Sequence, residues 1–150
     1  MSNTVQGPKH PCRATVVELA EIKDPVRGTL GIAETPTHVP FAIRRVLTHY
    51  DLPLNDRRGN HAHRELEEFI ICIKGSIEVE LCDAQGMQTF YLETPRKGVY
   101  VPPLTWITVT VTALETICVV MTSANYEPDE YIHDAAEFEA LLTQSQESGD

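Results

Sequence analysis

Turn signals recur at short intervals through the second half of the chain, and runs rich in β-branched residues fill the spaces between them. Residues 69–73 form an apolar run, Lys74 and Gly75 suit a tight turn, and residues 77–81 alternate apolar side chains with Glu78 and Glu80. Alternation with a period of two places one face of a strand in a core and leaves the other face polar. Turns every eight to twelve residues between such strands predict an all-β barrel or double sheet, and not alternating βαβ units.

The same pattern extends to the rest of the chain. Proline and glycine supply breaks, as in residues 24–28 and at Pro102 and Pro103. Further strands are predicted within residues 14–22, 29–33, 41–50, 87–92, 99–101, 106–111 and 116–121.

The C-terminal region differs from these strands. Asp134 followed three residues later by Glu137 makes a capping box, and an apolar stripe at helical spacing follows it, formed by Phe138, Leu141 and Leu142. This predicts a short terminal helix that packs on the sheet. At 150 residues the chain fits one domain. We expect a flexible N-terminal lead over residues 1–13, the domain over residues 14–142 and a flexible polar tail over residues 143–150.

Composition excludes several classes of function. The formal charge of −10 argues against nucleic acid or an anionic membrane as a general partner, because both require a basic surface. The longest apolar runs are far shorter than the roughly 18 residues that span a bilayer, and the first residues lack the apolar segment of a secretory signal. The four cysteines show no CxxC spacing, which is typical of reduced thiols. We therefore expect a cytoplasmic protein with no membrane segment.

Two histidines mark the candidate site. His61 and His63 stand at i and i+2, so on a strand both imidazoles project from the same face. Such a pair suits either a metal ion or proton transfer near neutral pH. Five of the eight arginines cluster around the pair and could hold an anionic ligand in bidentate geometry: Arg44, Arg45, Arg57, Arg58 and Arg64.

The stretch around the pair resembles the first motif of the cupin superfamily: Gly59, His61 and His63, then Glu68 and Gly75. Metal cupins complete their ligand set with a histidine in a second motif, where this chain has Ile107. His61, His63 and Glu68 could still form a two-histidine, one-carboxylate face of the kind that serves non-haem iron. A metal-dependent enzyme therefore remains an alternative.

Five blocks along the chain resemble, in order and spacing, the nucleotide-sugar 3,4-ketoisomerases of the FdtA, QdtA or WxcM-like type. They lie at residues 24–34, 40–46, 57–68, 98–106 and 123–132. The resemblance implies a cupin-type jelly-roll barrel that forms a homodimer. It also implies an isomerase that uses no metal or other cofactor and acts on a thymidine diphosphate sugar, thymidine-diphosphate-4-keto-6-deoxyglucose, whose carbonyl it moves from C4 to C3.

The chemistry of that reaction fits the residues. Moving a ketone to the neighbouring carbon requires removal of the C3 proton, an enediol and a proton returned at C4. One imidazole can take the carbon-bound proton while the other donates to the oxygen where charge develops. On the family pattern His61 and His63 are the catalytic pair, with base and acid unassigned. The candidate substrate-binding residues are Arg45, Arg58, Glu68, Tyr50, Tyr100 and Trp106.

Some positions depart from the family pattern. Leu47 and Thr48 stand where two tyrosines are usual, Glu68 is commonly glutamine, and His133 replaces an arginine. Glu68 can be a hydrogen-bonding residue of the pocket, a metal ligand or a surface carboxylate. The departures keep open a nucleotide-sugar-binding cupin that has lost catalysis. A nucleotide-sugar epimerase of related fold is a further alternative. The C4 configuration of the product is not predicted.

Overall fold

Two five-stranded antiparallel sheets form the body of the molecule, which is a computed structural model that describes residues 13–148. The elements in chain order are β1 Thr15–Glu18, β2 Ala20–Asp24, β3 Gly28–Ile32, β4 Arg45–His49, β5 Arg57–His63, β6 Glu68–Lys74, β7 Ile77–Asp83, β8 Gly86–Leu92, β9 Lys97–Val101, β10 Trp106–Val111, β11 Ile117–Thr122, a 3-10 turn Pro128–Glu130, β12 Tyr131–Ile132 and α1 Ala135–Glu147. The predicted all-β architecture with a short C-terminal helix is confirmed.

The strands alternate between the sheets along the chain. One sheet has the order β1-β9-β6-β11-β4, the other has the order β12-β5-β10-β7-β8, and β2 and β3 form a separate hairpin. Because neighbouring strands within a sheet are mostly distant in sequence, the fold is held by long-range pairing. The interior therefore collects side chains from most of the chain.

The main core lies between the two sheets. Several strands contribute alternate residues to it, as the periodicity predicts: Ile70 and Cys72 from β6, Ile77, Val79 and Leu81 from β7, Val99 and Val101 from β9 and Ile107 from β10. Burial of such side chains is worth roughly 1.5–3 kcal/mol each. This aliphatic core holds the two sheets together.

The outer face of the first sheet carries a second apolar cluster. Val39 and Phe41, from the segment before β4, pack there against Phe69, Ile71 and Tyr100. That segment is irregular, and the predicted strand over residues 41–50 is shorter in the structure, at Arg45–His49. Both faces of this sheet are thus covered by apolar side chains.

The C-terminal helix covers the outer face of the second sheet. Phe138 and Leu142 pack with Ala62 and Ile132 in a third cluster. Asp134 caps the helix by accepting hydrogen bonds from the amides of Ala136 and Glu137. The side chain of Glu137 pairs with Arg64 of another segment, so the reciprocal half of the predicted capping box is replaced by an ion pair.

The helix also extends past the predicted end of the domain. Residues 143–147 are helical, whereas the sequence predicted a polar tail from residue 143. Adding one residue to an existing helix gains one hydrogen bond per residue fixed, so a helix can continue beyond its apolar stripe. The predicted lead over residues 1–13 lies outside the described residues except for Arg13. No helix within residues 13–148 has both the length and the apolar content needed to cross a membrane.

Candidate active site

A cavity of about 190 Å³ opens between the two sheets. Most of its wall is aliphatic, with a smaller set of polar side chains facing the same space. The polar residues of the wall are His49, Arg58, His61, Glu68 and Tyr131. A mainly apolar pocket with a few convergent polar groups is the usual form of a small-molecule site.

A bulge in β5 directs His61 into this cavity. Ile107 pairs with His61, but the next residue, Thr108, pairs with Gly59, so Asn60 is an extra residue on β5. Gly59 and Asn60 have φ angles of 86° and 56°. A Cβ on Gly59 would lie 2.8 Å from the carbonyl oxygen of Ile107, so glycine is required at this close approach.

His63 is held by Glu68. The two side chains are buried, and Nε2 of His63 lies 2.9 Å from Oε1 of Glu68. Glu68 begins β6 and faces inward, so a carboxylate from one sheet contacts an imidazole from the other. With Nε2–H donating to the carboxylate, the lone pair lies on Nδ1, which is buried and has no hydrogen-bond partner within residues 13–148.

Aromatic rings surround the histidine pair. The centroids of His61 and His63 are 4.8 Å apart with the rings edge-on. Tyr131, on β12 beside His63, has its ring centroid 5.1 Å from that of His61 and 4.5 Å from that of His63. His133 stacks on Tyr131 at 5.8 Å. The site is therefore a compact group of three imidazoles and a phenol.

Electrostatics keep the imidazoles of the cavity wall neutral. Burial lowers the pKa of His61 below its usual 6.5, and the neighbouring His63 and His133 act in the same direction. Burial also lowers the pKa of His49, and the positive charge of Arg58 adds to that effect. Both residues are thus able to accept a proton at neutral pH.

The two candidate arginines occupy different places. Arg58 lies on the cavity wall, where its guanidinium pairs with Asp56 at 2.9 Å. The guanidinium of Arg45 lies 5.3 Å from the ring centroid of Tyr126, and its Nη1 is buried without a hydrogen-bond partner in the described part of the chain. A buried, unpaired cationic nitrogen suits an oxygen of an anionic ligand.

Four of the predicted substrate-binding residues lie outside the cavity: Arg45 and three aromatic residues. Tyr50 is 63% exposed and lies just after β4, on the outer side of the strand. Tyr100 faces the second apolar cluster, where its hydroxyl donates to Glu67 at 2.6 Å. Trp106 packs on Phe138 of the helix, with ring centroids 5.5 Å apart. Adjacent strand residues face opposite sides, so Val99, Val101 and Ile107 point inward and the aromatic residues point away.

Sequence reasoning missed two residues of the cavity wall, Tyr131 and His49, and noted His133 only as a departure from the family. His49 had a usable signal, because it stands four residues after Arg45 and two after Leu47 on one strand, which places all three on one face. Tyr131 and His133 had no local signal, since they reach the site only because β12 pairs with β5.

The histidine pair and Glu68 are also close enough to hold a cation. One ligand atom from each of His61, His63 and Glu68 can be chosen so that all three lie within 4.8 Å of one another. Two imidazoles and a carboxylate suit a transition metal. The neighbouring position across the sheet is Ile107, which offers no ligand atom.

Comparisons with known proteins agree with this architecture. The family described as FdtA, WxcM-like, C-terminal, matches residues 12–143. TDP-4-oxo-6-deoxy-alpha-D-glucose-3,4-oxoisomerase from Aneurinibacillus thermoaerophilus is 32% identical over 116 residues, which are 77% of this chain and 84% of that protein.

Solved structures show the same fold. WlaRB, a TDP-quinovose 3,4-ketoisomerase from Campylobacter jejuni, is 30% identical, with a TM-score of 0.80 over 85% of this chain and 98% of that one. QdtA, a sugar 3,4-ketoisomerase from Thermoanaerobacterium thermosaccharolyticum solved with TDP, has a TM-score of 0.84 over 89% of this chain and 97% of that one, at 24% identity. The predicted cupin-type jelly-roll barrel is confirmed. Since the family match covers residues 12–143, this chain belongs to the FdtA, or WxcM-like C-terminal, family.

Proposed function

We propose that the protein is a sugar 3,4-ketoisomerase that converts thymidine-diphosphate-4-keto-6-deoxyglucose into the 3-keto isomer. The observation that carries this proposal is the pair of imidazoles, with ring centroids 4.8 Å apart, of which His61 lies on the wall of the cavity between the sheets. The oxoisomerase that is 32% identical acts, by its name, on the same class of keto sugar. The nucleotide and the sugar are carried over from that relative as part of the proposal.

The pair moves the carbon-bound proton. The C4 carbonyl acidifies the C3 proton, a base removes it, and an enediolate forms with charge on O4. His63 is the stronger candidate for this base, because its Nδ1 lone pair is unpaired and the carboxylate of Glu68 lies 2.9 Å from its other nitrogen. A carboxylate in this position fixes the tautomer and stabilises the imidazolium that forms. The same imidazolium returns the proton at C4.

His61 and Tyr131 serve the oxygen on which charge develops. Both line the cavity, and both rings contact His63. A phenol can donate a hydrogen bond to an oxyanion, and such a bond is stronger in an enclosed site than in water. Arg58 adds a positive charge to the same cavity.

The size of the cavity indicates which part of the substrate lies inside it. Its volume of about 190 Å³ is sufficient for a sugar ring, and we assign the sugar to it. We place the diphosphate outside it, against the unpaired guanidinium nitrogen of Arg45. The exposed ring of Tyr126 beside that arginine would then lie along the nucleotide.

The experiment is a direct assay. The protein is incubated in D₂O with the 4-keto sugar nucleotide, and NMR follows both deuterium incorporation at C3 and formation of the 3-keto product. We expect both with the wild type and neither above background with His61→Asn. Binding of the sugar nucleotide without exchange or product would instead identify a binding protein that has lost catalysis.

A metal-dependent reaction is a second candidate, favoured by the proximity of the ligand atoms of His61, His63 and Glu68. A bound metal would supply Lewis-acid chemistry at the oxygen of the substrate. Elemental analysis of the purified protein, with activity measured after treatment with EDTA and after addition of iron, manganese or zinc, tests this candidate. Activity that is lost with EDTA and restored by one metal would favour it over the metal-free reaction.

We also propose that the enzyme is a homodimer and that residues 14–142, with the helix continuing to Glu147, form its single domain. The family resemblance supports the dimer. Light scattering coupled to size-exclusion chromatography tests it, with twice the 16.8 kDa chain mass expected. A mass of one chain at micromolar concentration would contradict the dimer without affecting the proposed reaction.

A further inference from the structure

Besides His61, a second imidazole lines the cavity, and it comes from the opposite sheet. His49 ends β4 in the first sheet, whereas His61 and His63 lie on β5 of the second sheet. Along β4, Leu47 and His49 line the cavity, and Thr48 between them is exposed on the outer face. His49 is thus held by strand geometry and by its pairing with Cys118 of β11.

His49 has no structural partner that accounts for a polar side chain in this place. Its ring is half-buried, and neither ring nitrogen makes a hydrogen bond to any group within residues 13–148. The other residues that line the cavity include Leu47, Leu52, Cys118 and two charged residues, Arg58 and Glu68. Because the ring lines the cavity and is half-buried, its nitrogens are available to a ligand that binds there.

The proposed reaction leaves one proton without a carrier. Moving the carbonyl from C4 to C3 transfers two protons, one between the carbons and one from O3 to O4. The first is taken from C3 and returned at C4 by the histidine pair. The second has to leave the O3 hydroxyl when the new C3 carbonyl forms and has to arrive on O4 when the old carbonyl becomes a hydroxyl.

We propose that His49 carries the proton from O3 to O4, and this inference rests on the proposed ketoisomerase function. In the enediolate, the O3–H bond breaks as a ring nitrogen of His49 takes the proton, and the same imidazolium then protonates O4. The C3 carbonyl forms as the C3–C4 double bond takes the stored carbon proton at C4. Every group of the protein ends the cycle in its starting protonation state, so no further reactant is needed.

The geometry and the charges support this division of labour. The cavity has His49 on the wall formed by the first sheet and His61 on the wall formed by the second. Since the ring of His61 contacts that of His63, the oxygen carrier and the histidine pair lie on opposite sides of a sugar ring bound between them. A shuttle has to be neutral before it accepts the proton. Burial and the positive charge of Arg58 lower the pKa of His49, and Glu68 on β6 acts in the opposite direction with a smaller effect, so the net shift favours the neutral ring.

The test compares two rates in one NMR experiment in D₂O with thymidine-diphosphate-4-keto-6-deoxyglucose: deuterium exchange at C3 and formation of the 3-keto sugar. For His49→Asn we expect product formation to fall about 100-fold, the loss typical of a proton-transfer group, while exchange at C3 falls less than about fivefold. Thr48→Val is the matched control, because it alters the adjacent residue on the outer face, and it should leave both rates unchanged. His49→Gln replaces His49→Asn if circular dichroism shows that the first variant is unfolded.

Each outcome is decisive. If the wild type exchanges and isomerises and His49→Asn does the same at wild-type rates, the role of His49 is wrong and the proposed function stands. If exchange and isomerisation fall together in the folded variant, His49 is needed to form the enediolate and the division of labour is wrong. If the wild type neither exchanges nor isomerises, the proposed function itself fails, and the role of His49 fails with it.

Discussion

The polar wall of the cavity and the aliphatic core between the sheets are built from the same strands, yet they contribute in opposite ways to folding. On β6, Glu68 faces the cavity beside His63, whereas Ile70 and Cys72, two and four residues later, belong to the core. Each buried aliphatic side chain stabilises the fold by roughly 1.5–3 kcal/mol. A buried polar atom without a partner, such as Nδ1 of His63, costs about 1–3 kcal/mol.

This contrast explains how one barrel can hold an unfavourable site. The core supplies the stability of the fold. That stability outweighs the cost of holding imidazoles close together, at least partly buried and incompletely hydrogen-bonded. Substitutions on the polar wall should therefore change activity with little loss of stability, and substitutions in the core should do the reverse.

The largest expected effect is the loss of activity in His61→Asn. In the proposed reaction His61 serves the oxygen on which charge develops, and loss of one such donor lowers the rate by about 10²–10³-fold, which corresponds to about 2.7–4 kcal/mol of transition-state stabilisation. The melting temperature should stay close to that of the wild type, because His61 lies on the cavity wall and not in the aliphatic core. Steady-state kinetics and a thermal melt on one preparation measure both. A large fall in melting temperature would contradict the separation of the two regions.

Leu92→Ala should show the opposite profile. Leu92 is fully buried in the core and does not line the cavity. Deletion of its side chain should lower the free energy of unfolding by about 2–5 kcal/mol through lost burial and a new void. Urea unfolding measures the loss, and kcat per folded molecule should stay within about twofold, since no group of the polar wall moves. A selective loss of kcat at full stability would show that the core takes part in the chemistry.

Glu68→Gln is expected to have an intermediate effect on activity. Glutamine can keep the hydrogen bond to His63 but loses the charge, and a charge-assisted hydrogen bond exceeds a neutral one by about 1–2 kcal/mol. We therefore expect kcat to fall about tenfold. Glu68→Ala, which removes the partner altogether, is the matched comparison and should lose considerably more. Equal losses in the two variants would mean that charge, and not orientation, is the main contribution of Glu68.

Tyr100→Phe tests whether a residue outside the cavity affects only stability, and its expected effect is smaller. The hydroxyl of Tyr100 donates to Glu67 on the outer side of the first sheet, away from the cavity. Its loss should lower the free energy of unfolding by about 0.5–1.5 kcal/mol and leave kcat and KM unchanged. A rise in KM for the sugar nucleotide would place Tyr100 in substrate binding after all.

Much of this architecture follows from local patterns in the sequence. The period-two alternation predicted the all-β fold, and the HxH spacing placed His61 and His63 on one face, where the structure brings their rings together. The Gly59–Asn60 bulge that aims His61 was not predicted. It depends on the pairing of β5 with β10, which no local pattern encodes.

The predicted residues that lie away from the cavity share a physical explanation. Alternation shows that Tyr100 and Trp106 lie on one side of their strands, but it does not show which side is the cavity when both sides are covered by apolar residues. Tyr131 begins a two-residue strand nearly seventy residues after His63, His133 directly follows that strand, and only tertiary pairing brings them to the site. His49 was within reach, because strand parity from Arg45 points to residue 49 and not to residue 50.

The smallest expected effect concerns pH, which should act on the polar wall and leave the aliphatic core unaffected. His49 and His61 have a lower pKa in the folded protein than the 6.5 of a free imidazole. As pH falls below about 6.5, the unfolded chain takes up these protons first, so it is favoured and stability is lost. The loss continues until pH passes the lowered pKa of the folded protein, and above pH 7 these two groups add no pH dependence.

Urea unfolding between pH 5 and pH 7.5 should show this decline for the wild type. His49→Asn removes one of the two groups, so its stability should fall less steeply over the same range, whereas Thr48→Val should follow the wild type. The variant and the control differ only in which face of β4 carries the change. Parallel curves for all three proteins would mean that His49 titrates alike in both states, which removes the electrostatic support for a neutral imidazole facing the cavity.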